Sequence, residues 1–137
     1  MRLLTHNLLI CNVAKCVATV AEDNNGIPDS MKRMNWPLQI VLNEGGLEER
    51  EDNFDKEFVL SMLKKIDWTA FHQGAADIGY TVPEEQPTDL NDEVLKQIHH
   101  ALLELEVMSG KLVCRHCGRE YLIEQGIPNM LLREDEV

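Results

Sequence analysis

Four cysteines, placed as two close pairs at opposite ends of the chain, constrain this fold more than any other feature. Cys11 and Cys16 form a CxxxxC pair, and Cys114 and Cys117 form a CxxC pair. Two short loops that each supply two thiolates suit a single tetrahedral zinc ion. Gly118 directly follows Cys117, where a zinc knuckle needs a tight backbone turn whose amides approach sulfur. A shared metal would make everything between the pairs an insertion with neighbouring ends. Two other uses of the cysteines stay open here. Disulfides would require an oxidising compartment. A redox CxxC usually sits at a strand-to-helix junction, whereas Arg119-Glu120-Tyr121-Leu122-Ile123 reads as a strand.

At 137 residues and 44% apolar content, the chain can bury one ordinary core or two small lobes sharing an interface. The opening Met1-Arg2-Leu3-Leu4 imitates a signal peptide, but Thr5, His6 and Asn7 break the apolar run. No stretch approaches the roughly 20 apolar residues of a membrane span. The protein is expected to be intracellular. A formal net charge of −11 opposes direct contact with a nucleic-acid backbone. Acid concentrates between Glu44 and Glu57 and in Glu134-Asp135-Glu136, either as a solvated face or as a surface for a basic partner.

Between the cysteine pairs the pattern is largely helical. Phe54, Phe58, Val59, Met62, Leu63 and Ile66 recur at helical spacing, with Asn53 as the expected cap. A second helix is predicted from Asp67 as cap through Ala70, Phe71 and Ala75 to Ile78, stopping at Gly79. Residues 80–89, with Pro83 and Pro87, read as a loop. A third helix starts near Asn91 and carries Val94, Leu95, Ile98, Ala101, Leu102 and Leu105 on one face, ending near Ser109-Gly110. The flanks read as strands: residues 36–42, 111–114, 120–124 and 127–132, with a short helix over 4–10. The expected architecture is α+β. A zinc-ribbon-like antiparallel β lobe, residues 1–50 plus 109–137, is formed by both termini, and residues 51–108 form an inserted small helical lobe.

Catalytic patterns are thin. Gly45-Gly46 lacks the strand–loop–helix context of a phosphate or cofactor loop. His99 and His100 are adjacent on a helix and point to different faces, one expected against the zinc lobe and one in solvent. A closed four-thiolate site leaves no open position for water or substrate.

Several segments together resemble a known family. Met1-Arg2-Leu3-Leu4-Thr5-His6-Asn7-Leu8-Leu9, Trp36-Pro37-Leu38, His99-His100 before Ala101-Leu102-Leu103-Glu104, and Gly126-Ile127-Pro128-Asn129-Met130-Leu131-Leu132 resemble the small eukaryotic activator subunits of methyltransferases. Those are the multifunctional subunits for methylation of tRNA, ribosomal RNA and a translation termination factor. The similarity runs from the first residue to the last in the same order. It implies a non-catalytic subunit that stabilises several S-adenosylmethionine-dependent methyltransferases, one at a time as heterodimers, by covering their apolar surface. The implied clients modify tRNA, small-subunit ribosomal RNA and a glutamine of the termination factor. S-adenosylmethionine would sit only in the partner, and RNA would be reached only through it. The resemblance also carries one structural zinc onto Cys11, Cys16, Cys114 and Cys117, and it implies docking through the zinc lobe by strand pairing. The segment from Cys16 to Asn35 is longer than in such members, which leaves its conformation open.

The residues fit that role on their own terms. A strand edge offers unpaired amides and carbonyls, and apolar side chains around it would be costly exposed. The expected partner-binding set is Leu8, Leu9, Ile127, Pro128, Asn129, Met130, Leu131 and Leu132, shared between core and interface. Cytoplasm and nucleus are the expected locations. The competing readings are a free-standing zinc-ribbon module binding nucleic acid directly and a thiol oxidoreductase using Cys114 and Cys117. Acidity and an aromatic content of 5% count against the nucleic-acid reading.

Overall fold

Strict alternation in the segment after Cys117 sets the central strand. Tyr121 and Ile123 are buried while Glu120, Leu122 and Glu124 face out, so one face of the sheet covers a core. The computed structural model describes residues 1–23 and 35–137. Four antiparallel strands form the main sheet: β1 (Gln39–Leu42), β4 (Gly110–Val113), β5 (Glu120–Glu124) and β6 (Ile127–Pro128), in that spatial order. Gln39 lies opposite Val113, and Gly110 lies opposite Ile123. A second, two-stranded sheet pairs β2 (Leu47–Glu49) with β3 (Leu105–Val107).

Three amphipathic helices cover the core between β2 and β3: α3 (Lys56–Leu63), α4 (Trp68–Asp77) and α5 (Asp92–His99). Asp67 caps α4 by accepting from the amide of Ala70 at 2.9 Å, and Gly79 ends that turn at φ +82°, as expected. Asn91 caps α5 in the same way. Toward the N-terminus lie α1 (Leu3–His6) and α2 (Ala14–Asp23). Val59, Leu63, Phe71, Leu95 and Leu102 belong to the same buried cluster as Leu112, Tyr121 and Ile123, so helices and sheet share one core.

Several expectations are corrected. The cap of α3 is Asp55, whose carboxylate accepts from the Phe58 amide at 3.2 Å; it is not Asn53. Both residue types can cap, and the later one leaves Phe54 outside the helix, edge-on to His99. The third helix does not reach Ser109: it continues α5 as a π turn over His100–Glu104 and then becomes β3. Leu105 fits the helical stripe, but Leu105 and Val107 are also alternately buried, and pairing with β2 wins. β1 starts at Gln39 and not at Trp36, because its partner strand ends at Val113 where the knuckle begins. β6 stops at Pro128 and not at Leu132: the Asn129 amide still bonds the Leu122 carbonyl at 2.8 Å, but beyond it the Leu131 carbonyl is taken by Arg119. The first helix is Leu3–His6, short of the expected 4–10. Of the segment whose conformation the sequence leaves open, residues 17–23 continue α2, and residues 24–34 lie outside the described residues. Among the described residues no helix is long and apolar enough to cross a membrane.

Candidate metal centre

Each cysteine reaches the site from a different local structure. Cys11 follows α1 in a loop and is tied there by its amide to the Asn35 carbonyl at 3.1 Å. Cys16 projects from the first turn of α2. Cys114 directly follows β4, and Cys117 stands on the turn after it. That turn closes through the Gly118 amide to the Cys114 carbonyl at 2.9 Å, with Gly118 at φ +77°. This left-handed conformation favours glycine, and it lets the Cys117 amide approach the Cys114 sulfur at 3.4 Å.

The four sulfurs lie within 4.8 Å of one another, and three of the four cysteines are buried. Cys11 and Cys117 sulfurs are 3.7 Å apart, and those of Cys16 and Cys114 are 3.8 Å apart. Tetrahedral zinc–sulfur bonds of about 2.3 Å require sulfur separations of about 3.8 Å. The four cysteines can therefore hold a metal ion. All four are free thiols, with no disulfide among them.

Burial is the largest influence on three of the thiols. Burial pushes the Cys11 thiol up, only partly opposed by the Tyr121 hydroxyl. Burial, followed by hydrogen bonds to Cys117 and Cys114, pushes Cys16 up further. For Cys117 burial is again the largest influence, but hydrogen bonds from the Arg119 amide and the other cysteines together bring it below the ordinary thiol value. Thiols held protonated by burial become thiolates when a divalent cation replaces their protons.

The sequence reading missed the hydroxyl beside the site. Tyr121 is fully buried and donates to the Cys11 sulfur at 3.0 Å. Its signal was present: it is the first inward-facing strand position after the knuckle, and a buried tyrosine needs an acceptor. The helix α2 that carries Cys16 was also missed, although Cys16 itself was expected as a ligand. Arg115, between the CxxC cysteines, donates to the Pro37 carbonyl and lies 3.4 Å from the Asp77 carboxylate, tying the knuckle to the end of α4.

The expected docking residues divide. Leu8, Ile127 and Leu131 are 73%, 69% and 80% exposed. Leu9, Met130 and Leu132 are partly buried against the core. Pro128 is half-buried, and Asn129 is exposed, its side chain accepting from the Leu131 amide at 3.1 Å. The histidines also differ from expectation. His99 is buried, donating from Nε2 to the Asp52 carbonyl at 3.0 Å and edge-on to Phe54, and not packed on the cysteine site. His100 lies between the carboxylates of Glu104 and Glu49, each at 3.1 Å.

A Trm112p-like protein family profile matches residues 2–126. The chain is 40% identical to multifunctional methyltransferase subunit TRM112 homolog A of Arabidopsis thaliana, over the whole of both chains. It is 38% identical to the trm112 subunit of Schizosaccharomyces pombe, again over the whole of both, and 32% identical to TRM112 of Saccharomyces cerevisiae over 96% of each. Among solved structures it is similar to a chain of the E. cuniculi Mtq2–Trm112 complex, at 16% identity and a TM-score of 0.46, covering 96% of this chain and 95% of that one. On its sequence, from Arg2 to Gly126, this chain belongs to the Trm112p-like family.

Proposed function

We propose that this chain is a non-catalytic activating and stabilising subunit of S-adenosylmethionine-dependent methyltransferases acting on tRNA, small-subunit ribosomal RNA and a translation termination factor. The observation that carries the reading is its end-to-end similarity to relatives named multifunctional methyltransferase subunits. Several catalytic partners bind in turn as heterodimers, each bringing the S-adenosylmethionine pocket and the RNA contacts. Residues 1–50 plus 109–137 are the docking lobe, and residues 51–108 are the helical insertion.

Cys11, Cys16, Cys114 and Cys117 hold one structural zinc ion, which shapes the lobe and takes no part in chemistry. The donor set supports this: four thiolates at tetrahedral spacing match a closed zinc site. Leu8, Leu9 and Ile127 through Leu132 form the docking surface. The exposure of Leu8, Ile127 and Leu131 supports it, since such side chains gain from being covered. Cytoplasm and nucleus are the proposed locations, where these substrates are made and used, and immunofluorescence checks this.

Co-expression with candidate methyltransferases tests the function. Partner solubility and methyl transfer should rise with this chain present; no gain for any candidate sinks the reading. Leu131→Glu should impair partner capture while leaving bound zinc at wild-type stoichiometry. Equal loss of both would return Leu131 to a structural role. RNA binding by the isolated chain at physiological salt would overturn the claim that RNA is reached only through the partner.

A further inference from the structure

Four thiolates around one divalent ion leave an excess of about two negative charges, in a site whose walls are mostly buried. Such charge must be met by donors outside the ligand set. Each sulfur has one: for Cys117 it is the Arg119 amide, and the other three follow. The Cys117 amide approaches Cys114, His116 Nδ1 lies 3.3 Å from Cys16, and the Tyr121 hydroxyl lies 3.0 Å from Cys11.

The last donor is unlike the others because of what stands behind it. The Arg119 guanidinium sits 4.5 Å above the Tyr121 ring, where a cation polarises the ring and its hydroxyl. That guanidinium is held from the far end of the chain. Its Nε donates to Glu136 Oε2 at 2.7 Å, and its Nη2 donates to Oε1 at 3.1 Å, a two-point fork. Glu136 is only 8% exposed, and it also takes the Arg133 amide at 3.0 Å, which closes the terminal 3-10 turn Glu134–Glu136. Arg119 Nη2 further reaches the Leu131 carbonyl at 3.2 Å. One side chain thus touches the ring beside the metal site, the C-terminal turn and the backbone of the proposed docking segment.

We infer that Tyr121, Arg119 and Glu136 form a latch that couples the metal centre to the C-terminal segment 130–137. Tyr121 is the outer-shell donor to Cys11, and Arg119 and Glu136 are positioning residues acting through it. Coupling of this kind is reciprocal: if a seated tail slows metal loss, an occupied site holds the tail in place. For a subunit that docks through residues 130–132, loss of metal would loosen the docking segment without any change to that segment itself. The inference rests on the proposed zinc centre.

The experiment uses the full chain. Zinc content is measured first, then the rate of zinc transfer to a chromogenic chelator, then hydrogen exchange over residues 130–137. Tyr121→Phe keeps the ring and removes the donor. It should release zinc about 10-fold faster, the lower end of typical outer-shell effects. In cobalt-loaded protein it should shift the thiolate-to-cobalt charge-transfer band to lower energy, because the Cys11 sulfur loses a hydrogen bond. A purely structural tyrosine would not move that band. Glu136→Gln should release zinc faster than wild type and raise exchange over 130–137, and Arg119→Lys should fall between Glu136→Gln and wild type. The exposed Glu124→Gln should match wild type throughout. Wild-type release rates in both Tyr121→Phe and Glu136→Gln, from protein holding one zinc per chain, would overturn the latch and leave the zinc reading standing. Wild-type chain that binds no zinc would overturn both.

Discussion

The sheet end of the molecule and the helical insertion are held together by different physics. In the insertion, Val59, Leu63, Phe71, Leu95, Ile98 and Leu102 are buried apolar side chains, and their removal from water supplies the stability. At the knuckle end of the sheet, Cys11, Cys16 and Cys114 occupy buried positions that larger apolar residues would fill elsewhere. Sulfur atoms alone cover little area, so with the proposed zinc this end leans on a cation to close it. Polar joints link the regions, and two of them involve buried or half-buried side chains at α4. His6 and Asn7 form one: His6 Nε2 donates to the Leu38 carbonyl at 2.7 Å, and Asn7 both donates to the Asp67 carbonyl and accepts from its amide at the start of α4. Arg115 and Asp77 form the other. Under the proposed zinc reading, one end of this fold is conditional on a ligand and the other is not, although they share a core.

Metal removal should separate the regions most strongly. Stripping the ion with a chelator at neutral pH, or Cys117→Ser, is expected to lower stability by an amount bounded on the order of 10 kcal/mol. Hydrogen exchange should rise across 110–124 well before it rises across 92–104. Simultaneous loss of protection in both would show a single cooperative unit and erase the contrast. Phe71→Ala is the mirror experiment. Phe71 is fully buried in α4, and its truncation should cost about 3–5 kcal/mol by denaturant titration while leaving metal stoichiometry intact.

The joint at His6 gives a pH signature. Burial is the main cause of a lowered pKa at His6, against a smaller opposing effect of its bond to Leu38. The unfolded chain binds a proton near pH 6.5 that the folded chain refuses. Stability therefore falls as pH drops below about 6.5, by at most about 1.4 kcal/mol per unit, until the folded-state pKa is passed. His6→Gln should flatten this slope between pH 7.5 and 5.5 in metal-loaded protein, as read by thermal melts. An unchanged slope would mean that the titration lies elsewhere. Packing explains why the ring cannot escape: a Cβ at Gly74 of α4 would lie 2.9 Å from its Nδ1.

The smallest effect concerns the start of α3. Asp55→Ala should cost about 1 kcal/mol as a lost cap, and Asn53→Ala close to nothing, with neither altering metal binding. The reverse order would move the cap back to Asn53.

Much of the helical insertion was legible because its signals are local. Asp67 as cap, Gly79 as stop and the Val94-to-Leu102 stripe each act within a few residues, and the structure keeps them. β3 was hidden because Leu105 and Val107 satisfy helical and strand patterns alike, and only β2, more than fifty residues earlier, decides between them. The shortened β6 was hidden for a similar reason: Ile127 to Leu132 is apolar enough for a strand, but Arg119 takes the Leu131 carbonyl away from any ladder.

What the sequence determined by itself was the donor set. Four cysteines in two close pairs, with Gly118 after the last, supply a donor set that can hold one metal ion once two sequence-distant loops meet. Its family membership was likewise written in segments spread from Met1 to Leu132. Only the tertiary structure decided what surrounds those sulfurs. Tyr121, Arg119 and Glu136 carry no motif, because an outer shell is defined by distance in space, and residues 11, 121 and 136 become neighbours only after the sheet has formed.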